Sequence, residues 1–356
     1  MENQVKYIIV GQGVAGSCLA LKLLQEKKSF CIIDQQSDTA SKVAVGVYNP
    51  VVLKRFSIIW HAAEQMLWMK KYFQEFERIL GERFIHEMLT YRIFNDEAEV
   101  KTWRKKAMRE DLSPFLNVEI LEKAADPLIQ SQFGLGIVKQ TGRIDLKRCL
   151  EKFAAYLLTN DRLYNETFDF DELKIETEGV QYKGIKAQHL VFCEGYGIKQ
   201  NPYFNYLPII GVKGEVLKIE TQKPIPNGIW KGKNFLLPIE GNLSYTASTY
   251  DRDDLTVEPT EKGKKEMLVL LEEIYQGKYE IKAHTAGIRP TVVDRRPIVG
   301  KHPQYPNLHL LNGMGTRGTL LAPQMSEYLF DQIEKNISIE KEANVRRFDH
   351  LYAARF

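Results

Sequence analysis

The 356-residue sequence lacks the features that mark a metal centre, a disulfide scaffold or a membrane span. Its four cysteines, Cys18, Cys31, Cys149 and Cys193, form no Cys-x-x-Cys pair and stand beside no histidine cluster, so neither a metal site nor a disulfide framework is expected. They read as small core residues of a reducing compartment. No uninterrupted apolar run approaches the ~18 residues that a membrane helix needs. The first strand starts at Val5 and leaves no room for a signal peptide, and a cytoplasmic protein is expected. An excess of one charge is missing too. Lys and Arg number 49 against 46 Asp and Glu, a net +3, which provides no global attraction for nucleic acid and leaves only local basic patches. There is no internal repeat and no low-complexity segment.

What is present is an ordinary globular composition, 44% hydrophobic and 27% charged, in a chain long enough for two domains that share an interface. The most informative stretch lies near the start. The apolar run Val5-Lys6-Tyr7-Ile8-Ile9-Val10 feeds Gly11-Gln12-Gly13-Val14-Ala15-Gly16, and helix formers follow to Lys27. A second strand, Phe30-Cys31-Ile32-Ile33, ends on Asp34. A dinucleotide site requires that order. Gly11 makes the tight turn, Gly13 lets backbone approach a pyrophosphate, and Gly16 lets the helix pack close to the strand. The amides of Val14 and Ala15 sit at a helix N-terminus, which favours phosphate charge. The Asp34 carboxylate is placed to accept from a ribose diol.

Beyond this unit the pattern predicts a long helix over 57–80, a strand over 88–94 and a helix over 97–109. A helix over 145–158 follows, with Asp145 as its cap candidate. Strands are expected at 173–176 and 179–182, and at 188–193, where the chain ends on Gly195 and Gly197. Residues 207–250 alternate as in an antiparallel sheet, and 263–275 carries a helical apolar stripe. A strand at 308–311 leads into a second glycine-rich turn, Asn312-Gly313-Met314-Gly315-Thr316-Arg317-Gly318, and then a helix over 319–333. The last residues, around Arg346, Arg347 and Arg355, read as a surface tail.

Five segments carry a resemblance. They are GQGVAG with Asp34; Ser41-Lys42-Val43-Ala44-Val45-Gly46-Val47; Val191-Phe192-Cys193-Glu194-Gly195; Gly211-Val212-Lys213-Gly214-Glu215-Val216-Leu217; and Gly287-Ile288-Arg289-Pro290 continuing to Gly300, followed by GMGTRGTLLAP ending at Pro323. In this order and spacing the chain resembles the D-amino-acid oxidase superfamily of FAD-dependent oxidoreductases, to which glycine oxidase and sarcosine oxidase belong. The likeness spans nearly the whole chain. It implies an α/β fold with an FAD-binding Rossmann-like domain of the glutathione-reductase type and a second, mostly antiparallel β-sheet substrate domain. The FAD-binding domain is expected from 1–85, 141–206 and 283–356, and the substrate domain from 86–140 and 207–282.

By the resemblance, Gly11, Gly13, Val14, Ala15, Gly16, Asp34, Ser41, Val45, Gly46, Val47, Gly195, Gly313, Gly315, Thr316, Arg317, Gly318 and Thr319 bind FAD. Amides of Gly315 to Gly318 would face the charge that reduction places on the ring. Arg289 would grip a substrate carboxylate with two parallel bonds, Arg317 would face the same group, and Tyr250 would supply a hydroxyl. A structural ion pair, for instance Arg289 with Asp294, is the alternative. Arg295 and Arg296 are expected in surface or interdomain contacts. Departures are also present. Asp34 and Glu215 stand where the family more often has Glu and Gln. Phe235 stands where an amine oxidase of this type can present a Tyr, and Tyr245 where sarcosine oxidases carry an oxygen-activating Lys. Gly287 stands where covalent attachment needs Cys, so noncovalent FAD is implied.

The function implied is hydride transfer from a small amino acid or secondary amine to flavin N5. Positioning and flavin electrostatics carry such catalysis, and no acid–base triad is required. His61 and Lys54 either line the cavity or are solvated. A second reading is the oxidase half of the bacterial wobble-uridine modifying enzyme, with tRNA as partner. For it, Lys54, Arg55, Lys70 and Lys71 would form a basic rim. A third is a flavin-binding protein without turnover, and a nicotinamide dehydrogenase is a fourth, which would leave Arg289 and the late glycine turn without a purpose. The amine, the electron acceptor and the oligomeric state stay open.

Overall fold

The chain is described here by a computed structural model covering residues 4–36 and 39–355, so the outer limits of the expected FAD segments, 1–3 and 356, lie outside it. A run of buried parallel strands forms the centre of the first sheet. Leu163–Tyr164, Phe30–Ile33, Gln4–Val10, Ile185–Phe192 and Leu308–Asn312 pair in that order, all parallel. The first half of Ile185–Phe192 also pairs antiparallel with Gly179–Tyr182, and Ile298–Lys301 closes the far edge against Leu308–Asn312. Strands covered on both faces read as continuous apolar runs, which is why Ile8 to Val10 carry no polar side chain. Tyr7, Ile9 and Ile32 point into one core layer with the helices Val14–Gln25, Ala62–Leu80 and Gly318–Lys335. Ile8, Val10 and Ile33 point into the other, with Phe168, Tyr182, Phe192 and Phe204.

The second sheet runs Tyr279–Val292, Ile209–Thr221, Leu243–Ala247, Phe235–Pro238, Ile229–Lys231, Thr90–Ile93, Leu135–Val138, Leu116–Leu121. Its pairs are antiparallel except Ile229–Lys231 with Thr90–Ile93. The fold class is therefore the expected one, a parallel-centred α/β layer with a mostly antiparallel second sheet. The two long strands Ile209–Thr221 and Tyr279–Val292 pair along their whole length and bring Gly214 opposite Gly287. That pairing sets Arg289, on the edge strand, over Gly214 of its neighbour.

Several boundaries differ from expectation for local reasons. The helix expected at 57–80 starts at Ala62, because Ser57–Ile58 pairs with Val51–Val52 and His61 turns left-handed at φ 50°. The helix expected at 263–275 is Glu261–Glu272, because Thr260 caps it by accepting from the Gly263 amide at 2.9 Å. Asp145 does cap Leu146–Thr159, accepting from the Arg148 amide at 3.4 Å. The expected surface tail is instead docked. Val345 is buried, the Val299 amide donates to Ala343, and Arg347 pairs with Asp294 at 3.1 Å. All four cysteines are free and buried. Among the described residues no helix is long and apolar enough to cross a membrane, and no cluster of His, Cys, Asp or Glu is placed to hold a metal.

Two buried histidines, His302 and His309, and the half-buried His189 tie this core to pH. His302 Nδ1 accepts from the Gln304 and Tyr305 amides, both at 3.1 Å, so the ring is neutral and its Nε2–H donates to the Tyr203 carbonyl. His309 Nε2 lies 3.2 Å from His189 Nδ1. Burial lowers His302 and His189 to about 4, and His309 well below its ordinary value. Unfolded, these rings take up protons near pH 6.5 that the folded chain refuses until about 4, so the stability that they contribute is full above pH 6.5 and declines between those values. Thermal melts from pH 7 to 4 are expected to show this decline, and His302→Phe should flatten part of it.

Candidate functional site

The site is built on backbone approach at the carboxyl ends of the parallel strands. Gly11 ends the first strand at φ +99°, and a Cβ there would stand 2.7 Å from the Cys193 carbonyl oxygen. A Cβ on Gly16 would fall on the Gly11 carbonyl itself. Only glycine at both positions lets the turn close and the helix begin at Val14. The Gly13 N-cap has no side-chain acceptor, and the Ser41 hydroxyl accepts from the Val14 amide at 3.1 Å. Among the described residues the Ala15 and Gly16 amides have no protein acceptor. Unpaired donors at a helix N-terminus suit a phosphate. Asp34 accepts from the Gln12 and Gln36 amides at 2.7 and 2.6 Å, which orients its carboxylate beside the same turn.

A cavity of about 660 Å³ runs from this turn to the second sheet. Gly11, Gly13, Val14, Ala15, Asp34, Ser41, Val45, Gly46, Val47, Gly195, Gly315, Thr316, Gly318, Thr319 and Arg289 line it. Gly16 and Gly313 shape the turns from behind rather than line the space, and Tyr250 and Arg317 stand beside it. No His or Lys lines it among the described residues.

The late turn is locked by Asn312, whose Nδ2 donates to the Gly195 carbonyl at 2.9 Å and whose Oδ1 accepts from the Gly313 amide at 2.7 Å. The expectation that the amides of Gly315 to Gly318 all face the cavity needs correction. Gly315 donates to the Pro290 carbonyl at 3.0 Å and Arg317 to the Met314 carbonyl at 3.1 Å, because the turn needs both bonds to close. Thr316, Gly318 and Thr319 retain amides without a protein acceptor among the described residues.

At the far end Arg289 lies flat on the backbone of Gly214, where a Cβ would fall inside the guanidinium. Its Nη2 donates to Ser248 Oγ at 2.9 Å, and Nη1 to the Lys213 and Thr249 carbonyls at 3.3 Å. The Tyr250 ring, 60% exposed, stacks 5.0 Å from it on the solvent side. Arg289 has no carboxylate partner among the described residues, since Asp294 pairs with Arg347. The alternative of an Arg289–Asp294 ion pair is thereby removed. Phe235, Val216 and Ala247 wall this end. Tyr245 lies instead in a smaller neighbouring cavity with Arg143, Asp145 and Lys218.

His61 pairs with Glu64 at 2.8 Å and Glu340 at 3.4 Å, and neither it nor Lys54 reaches the cavity. The expected basic rim is partly spent, with Lys70 on Glu87 at 2.7 Å and Lys71 over the Trp68 ring. Sequence reasoning missed Glu194, which lines the cavity, accepts from Asn201 Nδ2 at 2.8 Å and is pushed up to about 7 by burial. It lay within a quoted segment that was read for its glycine. It also missed Ser248, Phe168, Phe170 and Val257, which no motif marks.

A family model described as DAO, FAD dependent oxidoreductase, matches residues 6–332. The chain is 21% identical over 376 residues to the glycine oxidase of Bacillus subtilis, covering 100% of this chain and 98% of that one. It is 26% identical over 149 residues to a tRNA 5-methylaminomethyl-2-thiouridine biosynthesis bifunctional protein of Idiomarina loihiensis, a match covering 40% of this chain and 24% of that protein. The chain thus spans well under two thirds of that relative's length. Its fold is similar to the crystal structure of glycine oxidase from Geobacillus kaustophilus, with TM-score 0.79, 19% identity, and 94% and 96% of the two chains covered. The donor turns, Asp34 and the elongated cavity fit FAD. Gly16→Ala should open the first turn; the purified variant is expected to keep wild-type far-UV circular dichroism and lose the visible absorbance of FAD.

Proposed function

This chain belongs to the DAO family of FAD-dependent oxidoreductases, and from that premise we propose that it oxidises the C–N bond of a small amino acid or secondary amine that carries a carboxylate. The observation that carries the reading is Arg289, a guanidinium facing the cavity with hydroxyl and carbonyl acceptors but no acid. Among the described residues its Nε–H and second Nη2–H have no acceptor, and that edge can take two carboxylate oxygens in parallel.

In this reading the Ala15 amide takes the pyrophosphate and Asp34 the ribose. Val45 to Val47 and the Thr316, Gly318 and Thr319 amides take the ring end. Attachment is noncovalent, with Gly287 where a thiol would be needed. Bound FAD supplies the acceptor for the hydride that leaves the carbon next to nitrogen. Arg289 fixes the substrate by its carboxylate and so aims that C–H bond; Ser248 and the Gly214 backbone fix Arg289. Phe235, Val216 and Ala247 keep water from the reacting carbon. With no His or Lys in the lining, the amine gives its proton to solvent and binds neutral. Catalysis rests on positioning rather than on a general base.

The division into 1–85, 141–206 and 283–356 for FAD and 86–140 and 207–282 for substrate is part of the proposal, as is a cytoplasmic site, which four free cysteines suit. Likeness to the tRNA-modifying bifunctional protein favours a second reading, in which Arg289 grips the carboxymethyl group of a modified wobble uridine. Salt-sensitive tRNA binding would favour it.

Anaerobic mixing with a panel of amino acids and secondary amines tests the proposal; bleaching of the flavin band by carboxylate-bearing amines is expected. No bleaching with any donor would mean a flavin protein without turnover. Arg289→Gln and Gly214→Ala should each raise KM for such an amine about tenfold or more, since a hydrogen bond to a charged group is worth ~1.5–3 kcal/mol. An unchanged KM in both rejects the grip.

A further inference from the structure

Arg289 is not the one cation at its end of the cavity. The Gly315 amide clamps onto the Pro290 carbonyl, which ties the turn carrying Arg317 to the strand carrying Arg289. Ile298 pairs with Asn312, so the turn carrying Arg295 and Arg296 flanks the turn carrying Arg317. The Arg296 guanidinium lies 5.0 Å over the Trp60 ring, and Arg295 is exposed. Tyr250, stacked on Arg289, also faces Arg317.

The acids around this cluster are engaged elsewhere. Asp294 pairs with Arg347, Glu64 takes His61 and Gln324, and Glu340 takes His61 while its charge also faces Arg296, which leaves Arg317 as the cation without an acid. Among the described residues the Arg317 guanidinium makes no hydrogen bond and no ion pair, although it is only half-exposed. Burial, and then the charges of Arg296 and Arg295, lower it from its ordinary value. Like charges gathered at one opening repel each other and cost stability unless an anion joins them. A single carboxylate on Arg289 leaves Arg317 uncompensated.

The geometry points to a substrate amine with two anionic groups, a carboxylate held by Arg289 inside the cavity and a second carboxylate or a phosphate held by Arg317 and Arg296 at its opening, with Arg295 adding to the field. This deepens the reading of Arg289 given above and rests on it. Tyr250 stands between the two anion sites and separates them.

The test uses the full-length, FAD-loaded protein at constant ionic strength, with the change in its visible spectrum reporting binding of unreactive probes. Acetate is the single anion; succinate and 3-phosphonopropionate are the dianions. Each dianion is expected to bind about tenfold or more tightly than acetate, as one further charge-assisted contact implies. The ratio should fall toward one in Arg296→Gln and in Arg317→Gln. A larger gain for succinate assigns the outer group as carboxylate, and a larger gain for 3-phosphonopropionate as phosphate. Equal binding of acetate and both dianions overturns the inference while leaving the Arg289 reading intact. Acetate binding that Arg289→Gln does not weaken overturns the Arg289 reading itself. Salt-dependent binding of an anticodon stem-loop RNA without any dianion preference overturns the small-dianion inference in favour of a polyanion.

Discussion

Everything in this molecule depends on how closely backbone can approach backbone at the carboxyl ends of three adjacent parallel strands. The Gly11 Cα rests against the Cys193 carbonyl, the Gly16 Cα against the Gly11 carbonyl, and Asn312 ties the late turn to Gly195. Side chains at these contacts would push the strands apart. Because the contacts are tight, two helices, Val14–Gln25 and Gly318–Lys335, start at the same edge of the sheet and point unpaired amides into one cavity. Ligands gather at such an edge in open α/β sheets for this reason.

The second sheet answers with a different device. Its two longest strands run side by side for their full length, so Gly214 lies under Arg289 and a bulky cation can lie flat on the sheet. A buried guanidinium without an acid is costly, and here three weaker acceptors and an aromatic face offset only part of that cost. The arrangement persists because the strands over-determine it. Lys213 is fully buried one residue before Gly214 and holds Asp254 at 2.6 Å, which pins the segment after Tyr250 against the same strand.

How much of this could be read from the sequence follows from the range of each interaction. The first turn, Asp34, the late glycine turn and Arg289 are each marked within a few residues, and each contributes to the cavity lining. The Asp145 cap is a local hydrogen bond and was legible for the same reason. What escaped is long-range. Ser248 meets Arg289 across 41 residues and Glu194 is defined by burial, not by neighbours in sequence. The use of the Gly315 amide by Pro290 was hidden because both lie in motifs read separately. The C-terminal segment read as a tail because its charges dominate, whereas one of them, Arg347, finds Asp294 from 53 residues away.

Charge counting illustrates the same limit. A chain with net +3 has no field to speak of, yet its charges are sorted within the fold. Asp34 is tied down by two amides, and Glu194 is pushed up to about 7 by burial, so much of its negative charge is absent from the cavity at neutral pH. Two sets of helix-end amides and Arg289 are then the dominant polar features left inside. The interior therefore favours anions at both ends although the whole protein favours neither sign. That sorting follows from desolvation: a carboxylate with one neutral donor, as Glu194 has in Asn201, is pushed toward its neutral form on burial, whereas an arginine, with its much higher proton affinity, stays charged and waits for a partner. A cavity built by burying both kinds of group together becomes an anion site.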